Sequence, residues 1–186
     1  MTTNDRSYLN YGQDFADVYD QIFPRGAITS AEIQWLAQYI PSQNSQILEL
    51  GVGTGRVAIP LVHFLRSRGT GNEYRGMDVS AEMLAKLAFS DPDGLILQVA
   101  GDMIEDDFGT GNDTILCVCG TLAMATSADQ HAHVFRKAHE ALTPGGTFIV
   151  GTHHSDLVRA MHREPPATYA VPYPGVGQAL VTFSRL

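Results

Sequence analysis

Gln46-Ile47-Leu48-Glu49-Leu50-Gly51-Val52-Gly53-Thr54-Gly55-Arg56 decides how the rest of the chain is read. A short apolar segment runs into a glycine-rich turn, and an apolar stretch of helical length, Val57 to Leu65, follows. That pattern predicts strand, loop and helix in succession. Glycines at such a crossing permit positive φ and let the backbone approach a ligand closely. In a doubly wound sheet, the loop after the first strand is where nucleotide-like ligands bind. Two common versions of this loop do not fit. A dinucleotide fingerprint needs G-x-G-x-x-G, but Arg56 holds the third glycine position and Gly55 comes one residue early. This argues against an NAD(P)-dependent oxidoreductase. A phosphate-binding P-loop needs Lys-Ser/Thr where Arg56-Val57 stand, which excludes an ATPase of that kind.

The unit repeats outward in both directions. Upstream, Thr29-Ser30-Ala31-Glu32 has the form of a capping box, and Ile33, Leu36 and Ile40 recur at helical spacing until Pro41. Pro60 falls early enough in the Val57–Leu65 helix to be tolerated, because first-turn amides lack intrahelical partners. Downstream, Tyr74 to Val79 reads as a strand, Ser80 caps a helix through about Phe89, and Asp91-Pro92-Asp93-Gly94 is a turn. Leu95 to Ala100 is a third strand, and Asp113 to Cys119 a fourth, with the continuous apolar run of a strand covered on both faces. Ser127 to Leu142 suits a helix, Thr143-Pro144-Gly145-Gly146 a turn that ends it, and Thr147 to Val150 a fifth strand. Strands alternating with helices predict an α/β doubly wound fold, a parallel sheet with helices on both faces.

Composition narrows the function. The 186 residues suit one domain, and 44% hydrophobic against 17% charged residues is ordinary for a globular protein. A formal charge of −8 with no Lys/Arg cluster argues against nucleic acid or an anionic membrane as partner. No apolar run approaches the roughly 18 residues of a membrane span, and the N-terminus lacks a signal-peptide pattern, so a cytoplasmic protein is expected. Cys117 and Cys119, two apart in a strand, point to one face. Core packing in a reducing compartment is the plain reading of the pair.

Three strand ends carry ligand chemistry. Beyond the glycine loop, Asp78 ends the second strand, where a carboxylate can accept from both hydroxyls of a ribose. Asp102-Met103 follows the third, offering an acceptor for an adenine amine and a thioether for an adenine face. For the methionines, core packing is the competing reading.

Residues 9 to about 150 resemble the class I S-adenosylmethionine-dependent methyltransferases, which implies a Rossmann-like methyltransferase sheet. Ile47 to Gly55 looks like the family's first motif, Gly76-Met77-Asp78-Val79-Ser80-Ala81-Glu82-Met83-Leu84 like its second, and Gly101-Asp102-Met103 like its third. Leu142-Thr143-Pro144-Gly145-Gly146-Thr147 looks like the turn before strand five. Tyr11-Gly12 and Phe15-Ala16-Asp17-Val18-Tyr19-Asp20 resemble the N-terminal segment of bacterial small-molecule members, including those that methylate amino sugars and other natural products.

The resemblance implies S-adenosylmethionine as cofactor, a lid segment over residues 1–27, a cofactor-binding core over about 28–150 and an irregular segment 151–186, all in one domain. It places Gly51 and Gly53 against the methionine moiety, Glu49 near its amino group, and Tyr11 or Tyr19 closing over it. Arg56 either pairs with the cofactor carboxylate or is a surface arginine. Asp78 would hold the ribose, Met83 and Met103 flank the adenine, and Asp102 take its amine. Cys119-Gly120-Thr121-Leu122 would line the methyl end.

Methyl transfer to an N or O atom of a small molecule is the implied activity, and for it the protein mainly supplies orientation and a dry site. An amine acceptor needs only to arrive neutral. A hydroxyl needs a base, and His153 and His154, just after strand five, are the candidates, with a plain polar loop as the alternative. His131, His133 and His139 fall on the preceding helix and are expected to face solvent, and no metal site is expected. A non-methylating S-adenosylmethionine-binding protein is the alternative from another class.

One departure stands out. Complete members close the sheet with an antiparallel hairpin after strand five, and the sequence shows only one further strand, Ala179 to Phe183, among prolines 165, 166, 172 and 174. The expectation is that the hairpin is missing or shortened. Strand five would then be left as an edge, open to pairing with a second copy through that edge or the C-terminal segment.

Overall fold

The computed structural model describes residues 12, 15–24, 26, 28–152, 154, 156 and 159, and the backbone of residues 167–173 and 177–183. The helices are α1 (Tyr19–Ile22), α2 (Ser30–Ala37), α3 (Ala58–Ser67), α4 (Ala81–Ser90) and α5 (Ala128–Ala141). The strands are β1 (Gln46–Leu50), β2 (Glu73–Asp78), β3 (Ile96–Ala100), β4 (Asn112–Cys117), β5 (Leu142–Val150), β6 (Ala167–Tyr173) and β7 (Gly177–Phe183).

β1 to β5 form one parallel sheet in the order β3-β2-β1-β4-β5. The chain winds outward from β1 through β2 to β3, then crosses back to β4 on the other side of β1. The reversal lies between β1 and β4, and there the loops leaving the two strands diverge and open a crevice.

Alternation along the strands builds two cores. Ile47, Tyr74, Ile96 and Leu116 face α2, α3 and α4, with Ile33, Leu61, Leu65 and Leu87 filling the space between. Leu48, Leu50, Met77, Ile115 and Cys117 face the other way, against Val134, Ala138 and Ala141 of α5. Local signals place the helices. Thr29 and Glu32 form the full capping box at α2, Ser127 and Gln130 another at α5, and the Ser80 hydroxyl accepts from the Met83 N–H at α4. Each such cap is worth about 1 kcal/mol.

Two expectations are corrected. Thr143-Pro144-Gly145-Gly146 is not a turn between helix and strand. It is the opening of β5, which starts directly after α5 and absorbs the proline and glycines through a register break opposite Asn112 and Thr114, with Gly145 at φ 85. The second correction concerns the segment after β5, where one further strand is expected and two are present, although they do not close the main sheet. β6 and β7 pair antiparallel from Ala167↔Phe183 to Tyr173↔Gly177, as a separate two-stranded sheet. The prolines hid it. In a two-stranded ribbon, half of each strand's amides face away from the partner, so a proline such as Pro172, opposite Gln178, need not remove a ladder bond. The hairpin does not extend the main sheet, and β5 remains its edge among the described strands.

Candidate cofactor site

A cleft opens over the carboxyl ends of β1 to β4, at the reversal of strand order. Tyr19, Gly51, Gly53, Asp78, Met83, Asp102, Met103 and Cys119 stand on its wall, with Gly12, Val79, Ser80, Gly101, Gly120, Thr121 and Met124.

The β2–β3 end is fixed by backbone donors. Asp78 Oδ2 accepts from the Gly53 N–H at 2.7 Å, and its Oδ1 accepts from the Ser80 N–H at 2.9 Å. Burial raises this carboxyl above its ordinary range, while the N–H groups of Ser80, Gly53 and Val79 pull it back. The carboxylate stands on the cleft wall as an acceptor, the kind of group a vicinal diol requires. Asp102 Oδ1 accepts from the Ile104 N–H at 2.8 Å, and Asp106 Oδ2 takes the Asp102 N–H at 2.7 Å. Met83 and Met103 are buried beside these carboxylates.

The loop extends the ladder past the strand ends. Val52 N–H donates to Met77 C=O and Gly101 N–H to Asp78 C=O, each at 3.0 Å. Gly51 is required where it stands. It has φ 66, and a Cβ there would lie 2.3 Å from Thr121 Cγ2.

The β1–β4 end is built from side chains. Cys119 and Gly120 take positive φ of 59 and 81, which turns the chain sharply at the exit from β4 into the 3-10 turn Thr121–Met124. Cys119 is exposed there as a free thiol. The Arg56 guanidinium lies over the Phe23 ring, 5.5 Å from its centroid. It also stands beside Tyr19. Burial raises the Tyr19 hydroxyl, and the Arg56 charge opposes that rise. Arg56 Nε is buried with no hydrogen-bond partner.

Some sequence-derived candidates stand elsewhere. Glu49 is behind the wall, 2% exposed, because strand parity puts it on the face of Ile47 and Tyr74. Its Oε2 accepts from the Tyr74 hydroxyl at 2.5 Å. Burial pushes this carboxyl up to about 8, with the nearby Asp78 charge adding to the rise and Tyr74 and Arg56 opposing it. Arg56 likewise stands behind the wall. Leu122 turns into the core against α5, leaving Thr121 and Met124 to face the cleft. Met124 had no sequence signal.

His154 is exposed. Its Nδ1 accepts from the Asp156 N–H at 3.3 Å and lies 3.7 Å from Asp156 Oδ2, and it is not on the cleft wall. Tyr11 and His153 lie outside the described residues. His131 is half-buried rather than solvent-facing, with Nε2 3.2 Å from Leu122 C=O, and His133 meets Arg136 at 2.7 Å. Among the described residues, no helix is long and apolar enough to cross a membrane.

Comparison with known proteins agrees with this geometry. Residues 48–148, more than half of the chain, match the family model described as a methyltransferase domain. The chain is similar to a dTDP-4-amino-2,3,4,6-tetradeoxy-D-glucose N,N-dimethyltransferase of Saccharopolyspora spinosa, 28% identical over 145 residues, which are 75% of this chain and 55% of that protein. It therefore spans little more than half the length of that curated relative. Among solved structures it resembles the CcbJ methyltransferase from Streptomyces caelestis at 26% identity and a TM-score of 0.65, covering 93% of this chain and 79% of the other. It also shares the fold of Streptomyces venezuelae DesVI, with 22% identity, a TM-score of 0.66, and coverage of 92% and 70%. The glycine loop, the Asp78 carboxylate at the end of β2 and these matches together show that the chain belongs to the class I S-adenosylmethionine-dependent methyltransferases.

Proposed function

We propose that the chain transfers a methyl group from S-adenosylmethionine to the amino nitrogen of a small molecule of the amino-sugar class. The observation that carries the reading is the Asp78 carboxylate, held open toward the cleft by the Gly53 and Ser80 amides at the point where the strand order reverses. A carboxylate in that place suits a ribose diol. Asp102 supplies an acceptor for an adenine amine, and Met83 and Met103 supply the apolar faces. At the other end, the positive charge of Arg56, held behind Tyr19 on the wall, favours the cofactor's carboxylate without a direct contact.

Bound S-adenosylmethionine supplies an electrophilic methyl carbon on a cationic sulfur. The protein's own residues then orient the acceptor and keep water out. An amine that arrives neutral attacks with its own lone pair and needs no resident base, which is why nitrogen is favoured here. His154, the described candidate for a base, is turned to solvent beside Asp156. The amino-sugar assignment draws on the Saccharopolyspora spinosa relative.

Calorimetric titration with S-adenosylmethionine and S-adenosylhomocysteine, on the wild type and on Asp78→Ala, tests the cofactor site. Saturable binding that weakens at least about tenfold, or about 1.4 kcal/mol, in the variant is the expected result. A folded wild type that binds neither would overturn the reading. Methyl transfer to a nucleotide-linked amino sugar, with the corresponding hydroxy sugar left unmodified, is expected next.

A further inference from the structure

The N-terminal turn makes a contact that the proposed function does not use. α1 is one turn, Tyr19–Ile22, and its N-cap residue Val18 offers no side-chain cap. A single turn has no stability of its own, so it must be held from outside. Thr54 is wholly buried in the glycine loop, between Gly53 at φ 56 and Gly55 at φ 82. Its hydroxyl donates to Asp20 Oδ1 at 2.5 Å. At this distance the hydroxyl makes a well-formed hydrogen bond to the Asp20 side chain. On the same turn Tyr19 reaches the cleft wall, and its ring lies 5.2 Å from that of Phe23, which is itself under the Arg56 guanidinium. The turn thus grips the glycine loop at Thr54 and again at Arg56, and these contacts set where Tyr19 stands.

Asp20 itself is not on the cleft wall. Any effect it has on binding must pass through the two elements it joins. We propose that Asp20 is a positioning residue, which fastens the turn carrying Tyr19 to the glycine loop through Thr54, so that the two close the β1–β4 end of the cleft as one unit. The proposal rests on the function proposed above, since it takes the β2–β3 end as the adenosine side.

The test compares two probes on the full chain. S-adenosylhomocysteine spans both ends of the cleft, whereas 5′-methylthioadenosine lacks the amino-acid part and stops short of Tyr19. Asp20→Ala and Thr54→Val should each weaken S-adenosylhomocysteine about tenfold, and the double variant should be no weaker than either single one, as for two halves of one contact. Binding of 5′-methylthioadenosine should stay within about twofold. Thr54→Ser keeps the hydroxyl and Asp20→Asn keeps an acceptor, so both should recover most of the loss.

Unchanged S-adenosylhomocysteine affinity in Asp20→Ala and Thr54→Val overturns the proposal. So does an equal fall for both probes, or a Thr54→Ser variant as weak as Thr54→Val, because either would report packing rather than the bond. A wild type that binds neither probe overturns the proposed function and this inference together. A wild type that binds both, with variants that bind equally well, overturns this inference alone.

Discussion

The two ends of the cleft are built by different means. At the β2–β3 end, carboxylates are pinned by backbone N–H groups from their own or the adjacent loop: Asp78 by Gly53 and Ser80, and Asp102 through Ile104. At the β1–β4 end, side chains from distant segments hold one another, with Asp20 against Thr54 and Phe23 against Arg56. Backbone donors come with the loop conformation and withstand neighbouring substitutions. Contacts between side chains last only while both partners stay in place. The first end is set by backbone that comes with the fold, and the second by pairs of side chains.

The comparison breaks most plainly at Gly51. In Gly51→Val, a β-branched residue would be forced to φ 66 with its Cβ 2.3 Å from Thr121 Cγ2. A loss of about 3 kcal/mol or more in stability is expected, together with cofactor binding. Thermal denaturation checks it, and Gly51→Ala combined with Thr121→Ala should relieve the clash while leaving the backbone strain.

Below the wall, Glu49 gives a pH dependence. Its carboxyl stands at about 8 in the folded protein, against an ordinary value of 4.5. The folded state therefore holds this proton more tightly than the unfolded state. The stability it contributes is fully present below about pH 4.5 and is lost as pH rises through about 8, on the order of a few kcal/mol. Denaturant midpoints measured across that window should fall less steeply in Glu49→Gln than in the wild type. Identical slopes would mean that Glu49 is already ionised in the folded protein at neutral pH.

The backbone-pinned end is sharpened by pairing Asp78→Ala with Asp102→Ala. Each should weaken S-adenosylhomocysteine, Asp78→Ala by about tenfold to a hundredfold, or about 1.4–2.8 kcal/mol, and Asp102→Ala by less. A diol engages both oxygens of one carboxylate, and an amine engages one. The smallest effect is expected at Arg56. Arg56→Lys keeps the charge and loses the planar stack on Phe23, for a cost of about 0.5–1 kcal/mol in stability. A larger loss would show that the side-chain end carries more of the fold than its contacts suggest.

Legibility in the sequence followed the same division. Thr29 with Glu32, Ser80 as a cap, and Asp91, whose Oδ2 accepts from the Ile96 N–H after the Pro92-Asp93-Gly94 turn, are local arrangements and were readable as such. Asp78 and Asp102 were legible because each stands directly at a strand end. Glu49 was misplaced because its role depends on which sheet face it shares with Tyr74, across the β1–β2 pair. The Asp20–Thr54 contact left no signal, since its partners are separated by α2 and β1. The strand Ala167–Tyr173 gives little sequence signal, since Pro172 lies within it and only the pairing with Gly177–Phe183 decides what that proline costs.

The sequence by itself determined the alternation of strands and helices, the glycine loop and the carboxylates at the strand ends, because each rests on interactions within a few residues of itself. Tertiary structure alone decided that Glu49 is sealed beneath the site, that Leu122 turns inward while Met124 faces the cleft, and that a single helical turn is tied to the glycine loop. Those outcomes depend on which distant groups share a face or a buried hydrogen bond, and only the folded chain brings them within reach of one another.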